Sequence, residues 1–383
     1  MKPKTSKPVS TLLFALGHVV NDMSGNTISG LLPILASMLG LSYTLAGVVV
    51  MVLNVTSSII QPLFGRWFDR TQAIWLAEVG LTVNCICISL IGMSPNYWVL
   101  LFLVAMAGLG AAAFHPPAFS AIVRSAASSK GGVMSIFTSC GNVGFFLGPV
   151  LVGILVSAFG LHGMLLLLPI GVFVAVFIFR FQPKTTKILS TKKEEGYINK
   201  RLLGLLMGIT GFRSIAISTA MTFLPLYFVT RGDSLLLATS AASMWLAAGV
   251  IGQLGGGFLS DRVGKRPVIA VSLVLGAITF YGFLVTTGFF SMVLLIISGA
   301  LLFASWSVIF VMSSEAAPSS VGTVTGLMLG FSVGIGGFGV LGFGGAADQV
   351  GLAATFNIVI ASAIAGGLLA LFLPSDRKDH FRS

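Results

Sequence analysis

Gly65-Arg66-Trp67-Phe68-Asp69-Arg70 closes the second apolar run of the chain, and Gly257-Phe258-Leu259-Ser260-Asp261-Arg262-Val263-Gly264-Lys265-Arg266 closes the eighth. Gly65, Asp69 and Arg70 recur as Gly257, Asp261 and Arg262, an offset of 192 residues. Leu32-Pro33 recurs as Leu224-Pro225 at the same offset, which points to an internal duplication rather than chance. In each copy the glycine lets a helix end approach a neighbour closely. The aspartate can sit against a helix amino terminus, and the arginines against carboxylates or lipid phosphates. The first copy lacks the terminal glycine and basic pair, having Thr71-Gln72-Ala73 in their place.

What lies between these loops fixes the class. Of the 383 residues 56% are hydrophobic and 9% charged, against about 25% charged in a soluble globular chain. The expectation is an all-α integral membrane protein. Twelve spans fit, at residues 10–38, 44–65, 72–93, 97–119, 131–158, 163–182, 201–230, 235–259, 267–287, 291–313, 322–345 and 353–373. The polar gap Pro183–Lys200 separates two sets of six, giving an amino-terminal bundle (1–182), a cytoplasmic linker (183–200) and a carboxyl-terminal bundle (201–383).

The net charge of +11 would suggest nucleic acid in a soluble protein, but 20 of the 22 Lys and Arg fall at the termini and in alternate gaps, on one side of the membrane. That side is the cytoplasm, so both termini are placed there and no nucleic-acid partner is expected. Lys2, Lys4 and Lys7 before an apolar run imitate a signal peptide. The run carries Asp22 and continues past Pro33 without a cleavage site, so it is read as an uncleaved first span. Cys85, Cys87 and Cys140 lack zinc-ligand or disulfide spacing and read as packing residues.

Inside the first span His18, Asn21, Asp22, Gly25, Asn26 and Ser29 recur at three- and four-residue steps, a polar stripe on one helix face. From Thr11, Asp22 lies about 17 Å along the rod, near the middle of a ~30 Å hydrocarbon layer. A carboxylate there costs ~2.5–3.5 kcal/mol on insertion scales and must face protein or water. Arg213 lies at a similar depth in the seventh span, beside Thr210, Ser214, Ser218 and Thr222. His115 precedes Pro116 and Pro117, which leave carbonyls without helical donors; it either contacts proton or substrate in a cavity or caps those carbonyls. Glu78 and Glu315, near the cytoplasmic ends of spans three and ten, are expected in gate salt bridges with Arg66, Arg70 or Arg124, or else at substrate. His162 and His380 are assigned nothing.

The two loops resemble the signature of the major facilitator superfamily, which implies two pseudo-symmetric six-helix bundles around a central site. Spans one, four, seven and ten line the cavity in that family, so the resemblance implies that Asp22 and Arg213 face each other across it, as a working site or as a static pair. Gly144, Gly148, Pro149 and Gly153 look like the glycine-proline motif of that superfamily's drug exporters, with packing as the alternative reading. Gly322, Gly326, Gly330 and Gly334 form a close-packing face in span eleven, expected to be a sliding surface between halves.

A narrower resemblance rests on His18-Val19-Val20-Asn21-Asp22-Met23, Gln61-Pro62, Phe114-His115-Pro116, Ser135-Ile136-Phe137 leading to Gly141-Asn142, and Glu315 with Pro318 before Gly322. Together these look like the fosmidomycin-resistance family, whose members are regarded as proton-driven exporters of a small phosphonate antibiotic. The function implied is a proton-coupled efflux antiporter for small, anionic organic compounds, a monomer in the cell membrane that contacts lipids. On this reading Asp22 and His18 carry the proton; Arg213, His115, Asn21, Asn26 and Asn142 bind substrate; Asp69, Arg70, Asp261, Arg262, Glu78, Glu315 and Arg124 gate. No cofactor, metal or catalytic residue is expected.

Arg213 suits an anion through a charge-assisted fork. If Asp22 competed with that anion, protonation would strengthen anion binding, which is symport, so an importer of a related anion is the alternative. An intramembrane enzyme is the third class; His-Glu-x-x-His is absent, and Gly-x-Ser-x-Gly occurs only as Gly330-Phe331-Ser332-Val333-Gly334 inside an apolar run, not at the strand-to-helix turn that the chemistry needs.

Overall fold

The computed structural model describes residues 7–125, 130–181, 198–317 and 321–374. Among them every regular element is helical. They are α1 (Lys7–Leu39), α2 (Tyr43–Asn54), α3 (Gln61–Thr71), α4 (Leu76–Leu90), α5 (Tyr97–Ser125), α6 (Lys130–Phe159) and α7 (Leu167–Phe181). After them come α8 (Lys200–Thr230), α9 (Leu235–Val263), α10 (Lys265–Val285), α11 (Gly288–Ala316), α12 (Val321–Val350), α13 (Leu352–Thr355) and α14 (Asn357–Ala370). Most of the expected linker, residues 183–197, lies outside the described residues.

Ten helical stretches among the described residues are long and apolar enough to cross a bilayer, against the twelve spans expected. The stretch Ser139–Phe181, 43 residues long, takes in two expected spans joined by the 3-10 segment Gly160–Leu166. α1 falls outside the ten because its polar stripe lowers the hydropathy of any window long enough to span.

The second expected span is one membrane-length stretch, Tyr43–Phe68, with an irregular turn inside it. Between α2 and α3 the chain makes a π-helical turn, Val55–Ile59. There Thr56 Oγ1 donates back to the Val52 carbonyl (2.7 Å) and Ser57 Oγ to that of Asn54 (3.3 Å), and Pro62 opens α3. Hydroxyls that bond back onto the ladder loosen a helix, and proline cannot donate to the preceding turn.

By contact the chain forms two compact units, Met1–Ser190 with Thr222–Ser243, and Thr191–Met221 with Met244–Ser383. In the first, α1 lies directly on α6. A methyl group added at Gly148 would come within 2.8 Å of the Met23 carbonyl, and one at Gly141 within 2.6 Å of His18 Cε1. Gly141 and, from the glycine-proline motif, Gly144 and Gly148 therefore set how closely α6 approaches the polar stripe, whereas Gly153 packs on Thr239 and Leu236 of α9. The core beneath that stripe contains Phe14, Leu81, Cys85, Phe114, Phe137 and Ile178.

In the second unit Gly252 and Gly256 bring α9 against the backbone of Ala300 and Ala304 on α11. Trp245 Nε1 donates to Ser298 Oγ at 3.1 Å. The expected close-packing glycines of span eleven are displaced along the helix. Methyl groups at Gly326 or Gly330 would meet nothing within 4 Å, whereas Gly336 and Gly339 pack on Ser218 and Ile215 of α8. A four-residue glycine step gives a face but does not say which turns of that face are covered.

The duplicated loops both carry a positive φ at the equivalent position but not the same turn, Gln72 being left-handed α (ψ 32°) and Gly264 extended (ψ 155°). Gly264 has φ 97°, and Gln72, at the equivalent position, has φ 52°.

Candidate functional site

α1 presents His18 and Asp22 one turn apart, and α5 brings His115 to the same place. His18 Nε2 lies 3.2 Å from Asp22 Oδ2, and His115 Nε2 lies 3.3 Å from Asp22 Oδ1. Each imidazole is anchored by its other nitrogen. His18 Nδ1 donates to the Phe137 carbonyl and His115 Nδ1 to the Ala111 carbonyl, both at 2.8 Å. A carbonyl oxygen only accepts, so both rings carry their hydrogen on Nδ1 and turn Nε2 towards the carboxylate. His18 also stacks on Phe137, with ring centroids 4.2 Å apart.

Asn21 completes the site by donating from Nδ2 to Asp22 Oδ1 at 3.1 Å. Its orientation is set from α4, where Asn84 Nδ2 donates to both Oδ1 and the backbone carbonyl of Asn21, at 2.9 and 3.0 Å. The side chains of His18 and Asp22 are 6% and 9% exposed and that of His115 18%, so His115 is the more open edge.

The nitrogen and oxygen atoms of these three groups lie within 4.8 Å of one another, a spread that a divalent ion could also bridge. Each oxygen lies at ion-pair distance from its own imidazole, 3.2 and 3.3 Å, within reach of a proton between them. The two readings of His115, carbonyl cap and partner of the acid, are therefore both realised, one through each ring nitrogen.

Other expected site residues fall elsewhere. Asn26 donates to the Phe145 carbonyl and ties α1 to α6. Asn142 is half-buried on α6. Arg70, Asp261 and Arg262 are exposed at the ends of α3 and α9. The side chains of Asp69 and Arg124 lie outside the described residues.

The expected pairing of both glutamates with Arg66, Arg70 or Arg124 is corrected. Glu315 is bonded through both oxygens to Lys265, at 2.6 and 2.7 Å. Glu78 is buried, and neither of its oxygens has a hydrogen-bond partner. It lines a groove of about 280 Å³ between α4 and α7 with Thr82, Ala175 and Phe179. Its place on the α4–α7 face, invisible in a one-dimensional depth estimate, leaves this carboxylate without a hydrogen-bond partner among the described residues.

In the second unit α8 buries Arg213, whose Nε donates to Ser305 Oγ of α11 at 3.1 Å. The guanidinium carbon lies 4.4 Å from the Trp306 ring centroid and 5.5 Å from that of Phe303. A guanidinium lying over an indole face is held by cation–π attraction and keeps its outward N–H groups for another acceptor. Beside it Ser214 and Ser332 share a 2.6 Å hydrogen bond, and the Thr210 hydroxyl is buried without a partner.

Asn84, Ser305 and Trp306 were not singled out from sequence. Their only signal was a polar or aromatic residue within an apolar run, with no partner at helical spacing.

The Major Facilitator Superfamily model matches residues 14–340 and 206–382. An uncharacterized MFS-type transporter, YfnC of Bacillus subtilis (strain 168), is 30% identical, over 98% of this chain and 95% of its own. The fosmidomycin resistance protein of Escherichia coli (strain K12) is 28% identical, over 95% of this chain and 92% of its own. Among solved structures, an inward-facing, unoccupied bacterial homologue of the human lysosomal transporter Spinster superposes with a TM-score of 0.83 at 16% identity. That match covers 96% of this chain and 98% of the other.

Proposed function

Because this chain belongs to the Major Facilitator Superfamily of membrane transporters, we propose that it is a proton-coupled exporter of small organic anions of the phosphonate type. The observation that carries the reading is the pairing of each Asp22 oxygen with an imidazole whose other nitrogen is already committed. With protons in the two contacts the cluster is closed on itself. Without them it presents two imidazole lone pairs and a carboxylate, acceptors that repel one another and attract a donor group on a cargo molecule.

Protons and a donor-bearing cargo thus compete for the same lone pairs, and mutual exclusion is what antiport requires. Within the second unit, Arg213, stacked on Trp306, is the group suited to an anionic head. Outward direction is supported by likeness to a fosmidomycin resistance protein. Placement of both termini in the cytoplasm is supported by the positions of Lys and Arg. We take the unit of transport to be one chain, with lipids against the basic loops.

Fosmidomycin flux in reconstituted vesicles under an imposed pH gradient tests this reading. Asp22→Asn is expected to abolish gradient-driven flux and retain fosmidomycin binding. Undiminished gradient-driven flux would remove the acid from the proton path. Fosmidomycin accumulating in cells that express the protein, rather than being excluded, would reverse the direction.

A further inference from the structure

We propose that His18, Asp22 and His115 form a store for two exchangeable protons, so that two protons, not one, drive each cycle. The cycle count rests on the proton-coupled reading above; the store itself rests on hydrogen-bond geometry. The Phe137 and Ala111 carbonyls can only accept, so both Nδ1 atoms keep their hydrogens throughout. Those two hydrogens are not exchanged.

What remains are two contacts, Nε2 to Oδ2 at 3.2 Å and Nε2 to Oδ1 at 3.3 Å. Without a hydrogen between them, each sets a lone pair against an anionic oxygen among largely buried side chains. One hydrogen turns one contact into a bond and leaves the other repulsive. Two hydrogens satisfy both. Asn21 supplies Oδ1 with a permanent neutral donor at 3.1 Å, which never leaves and replaces neither proton.

No other charge among the described residues on the packed helices takes over this work. From α4 the titratable groups are Cys85, which contacts Ser24 Oγ at 3.5 Å, Cys87, which is buried, and Glu78, which lines the groove towards α7. α6 offers Cys140, a neutral thiol packed on the core, and α7 offers Arg180, in its last turn. The carboxylate and two imidazoles therefore run from net −1 with both contacts empty to +1 with both filled.

Nitrogen-15 NMR of histidine-labelled, purified protein reads the store directly, in a His162→Asn/His380→Asn background that leaves only His18 and His115. Both rings are expected in the Nδ1-protonated tautomer at high pH, each gaining an Nε2 hydrogen on acidification. Either ring in the Nε2-protonated, Nδ1-bare tautomer, or only one ring gaining a hydrogen, would overturn the two-proton store.

The static-head ratio of fosmidomycin in vesicles, with membrane potential clamped at zero, reads the cycle. One pH unit is expected to sustain about a hundredfold ratio in the wild type and about tenfold in His115→Gln. A tenfold ratio in the wild type would refute two-proton coupling while leaving proton-coupled transport standing. A flux indifferent to pH, with both rings titrating as expected, would instead refute the coupling and leave the store intact.

Discussion

Asn84 on α4 donates one amide to both the backbone carbonyl and Oδ1 of Asn21, at 3.0 and 2.9 Å. Because Asn21 must offer its oxygen to Asn84, its own amide is turned towards Asp22. Asn84→Asp, equal in size but without the donor, would set an acceptor against two acceptors. Asn21 is then expected to rotate and withdraw its bond to Asp22. We expect gradient-driven fosmidomycin flux to fall at least tenfold while Asn84→Gln keeps part of it; unchanged flux in Asn84→Asp would deny Asn84 this positioning role.

Gly141 faces the His18–Asp22 pair itself. A methyl group there would lie 2.7 Å from both Asp22 Oδ2 and His18 Nε2, so Gly141→Ala must push α6 away or spread the pair. The expected cost is ~1–3 kcal/mol of stability, together with loss of proton-driven flux. Gly25 is the control, since a methyl group there meets nothing within 4 Å. Gly25→Ala should gain about 0.5–1 kcal/mol from helix propensity alone. Thermal unfolding in detergent measures both, and equal behaviour of the two variants would show that α6 does not press on the cluster.

The positive-φ residues at equivalent places in the two loops give a test that needs no transport assay. Gly264 holds φ 97° without penalty, but Gln72 holds φ 52° with a Cβ, which costs about 1–2 kcal/mol. Gln72→Gly should raise thermal stability by up to about 1 kcal/mol, and Gly264→Ala should lower it by ~1–3 kcal/mol. A destabilised Gln72→Gly would mean that the side-chain bond from Gln72 Nε2 to the Phe68 carbonyl, at 3.4 Å, outweighs the backbone strain.

Those loops also show how far the sequence could be read. The duplication is visible because glycine, aspartate and arginine recur together, while Thr71-Gln72-Ala73 gives no sign that Gln72 takes a positive φ where the second copy has Gly264. His18 and Asp22 were legible as partners because they are four residues apart on one helix. His115 and Asn84 reach the same carboxylate system from other helices, and no periodicity within a helix encodes which faces of two helices meet. Glu78 is illegible for the same reason: nothing within α4 says that its face meets α7, where the carboxylate has no hydrogen-bond partner among the described residues. The irregular turn inside the second span is illegible because apolar content says nothing of hydroxyls bonding back onto the ladder.

Arg213 offers the sharpest test of what the second unit binds. Its guanidinium is fixed from two sides, by Ser305 Oγ on Nε and by the Trp306 ring over its face, which pre-orients the remaining N–H groups as a fork. Arg213→Lys keeps the charge but loses the Nε bond and the planar fork, so phosphonate binding should weaken at least tenfold, about 1.4 kcal/mol. Trp306→Leu keeps the fork but frees the guanidinium to rotate, and a smaller loss is expected, in line with a cation–π contact worth about 0.5–2 kcal/mol. Calorimetric titration of fosmidomycin into each purified variant measures both. Binding by Arg213→Lys as tight as the wild type would reduce Arg213 to a point charge, and the anion would then be recognised by attraction rather than by shape.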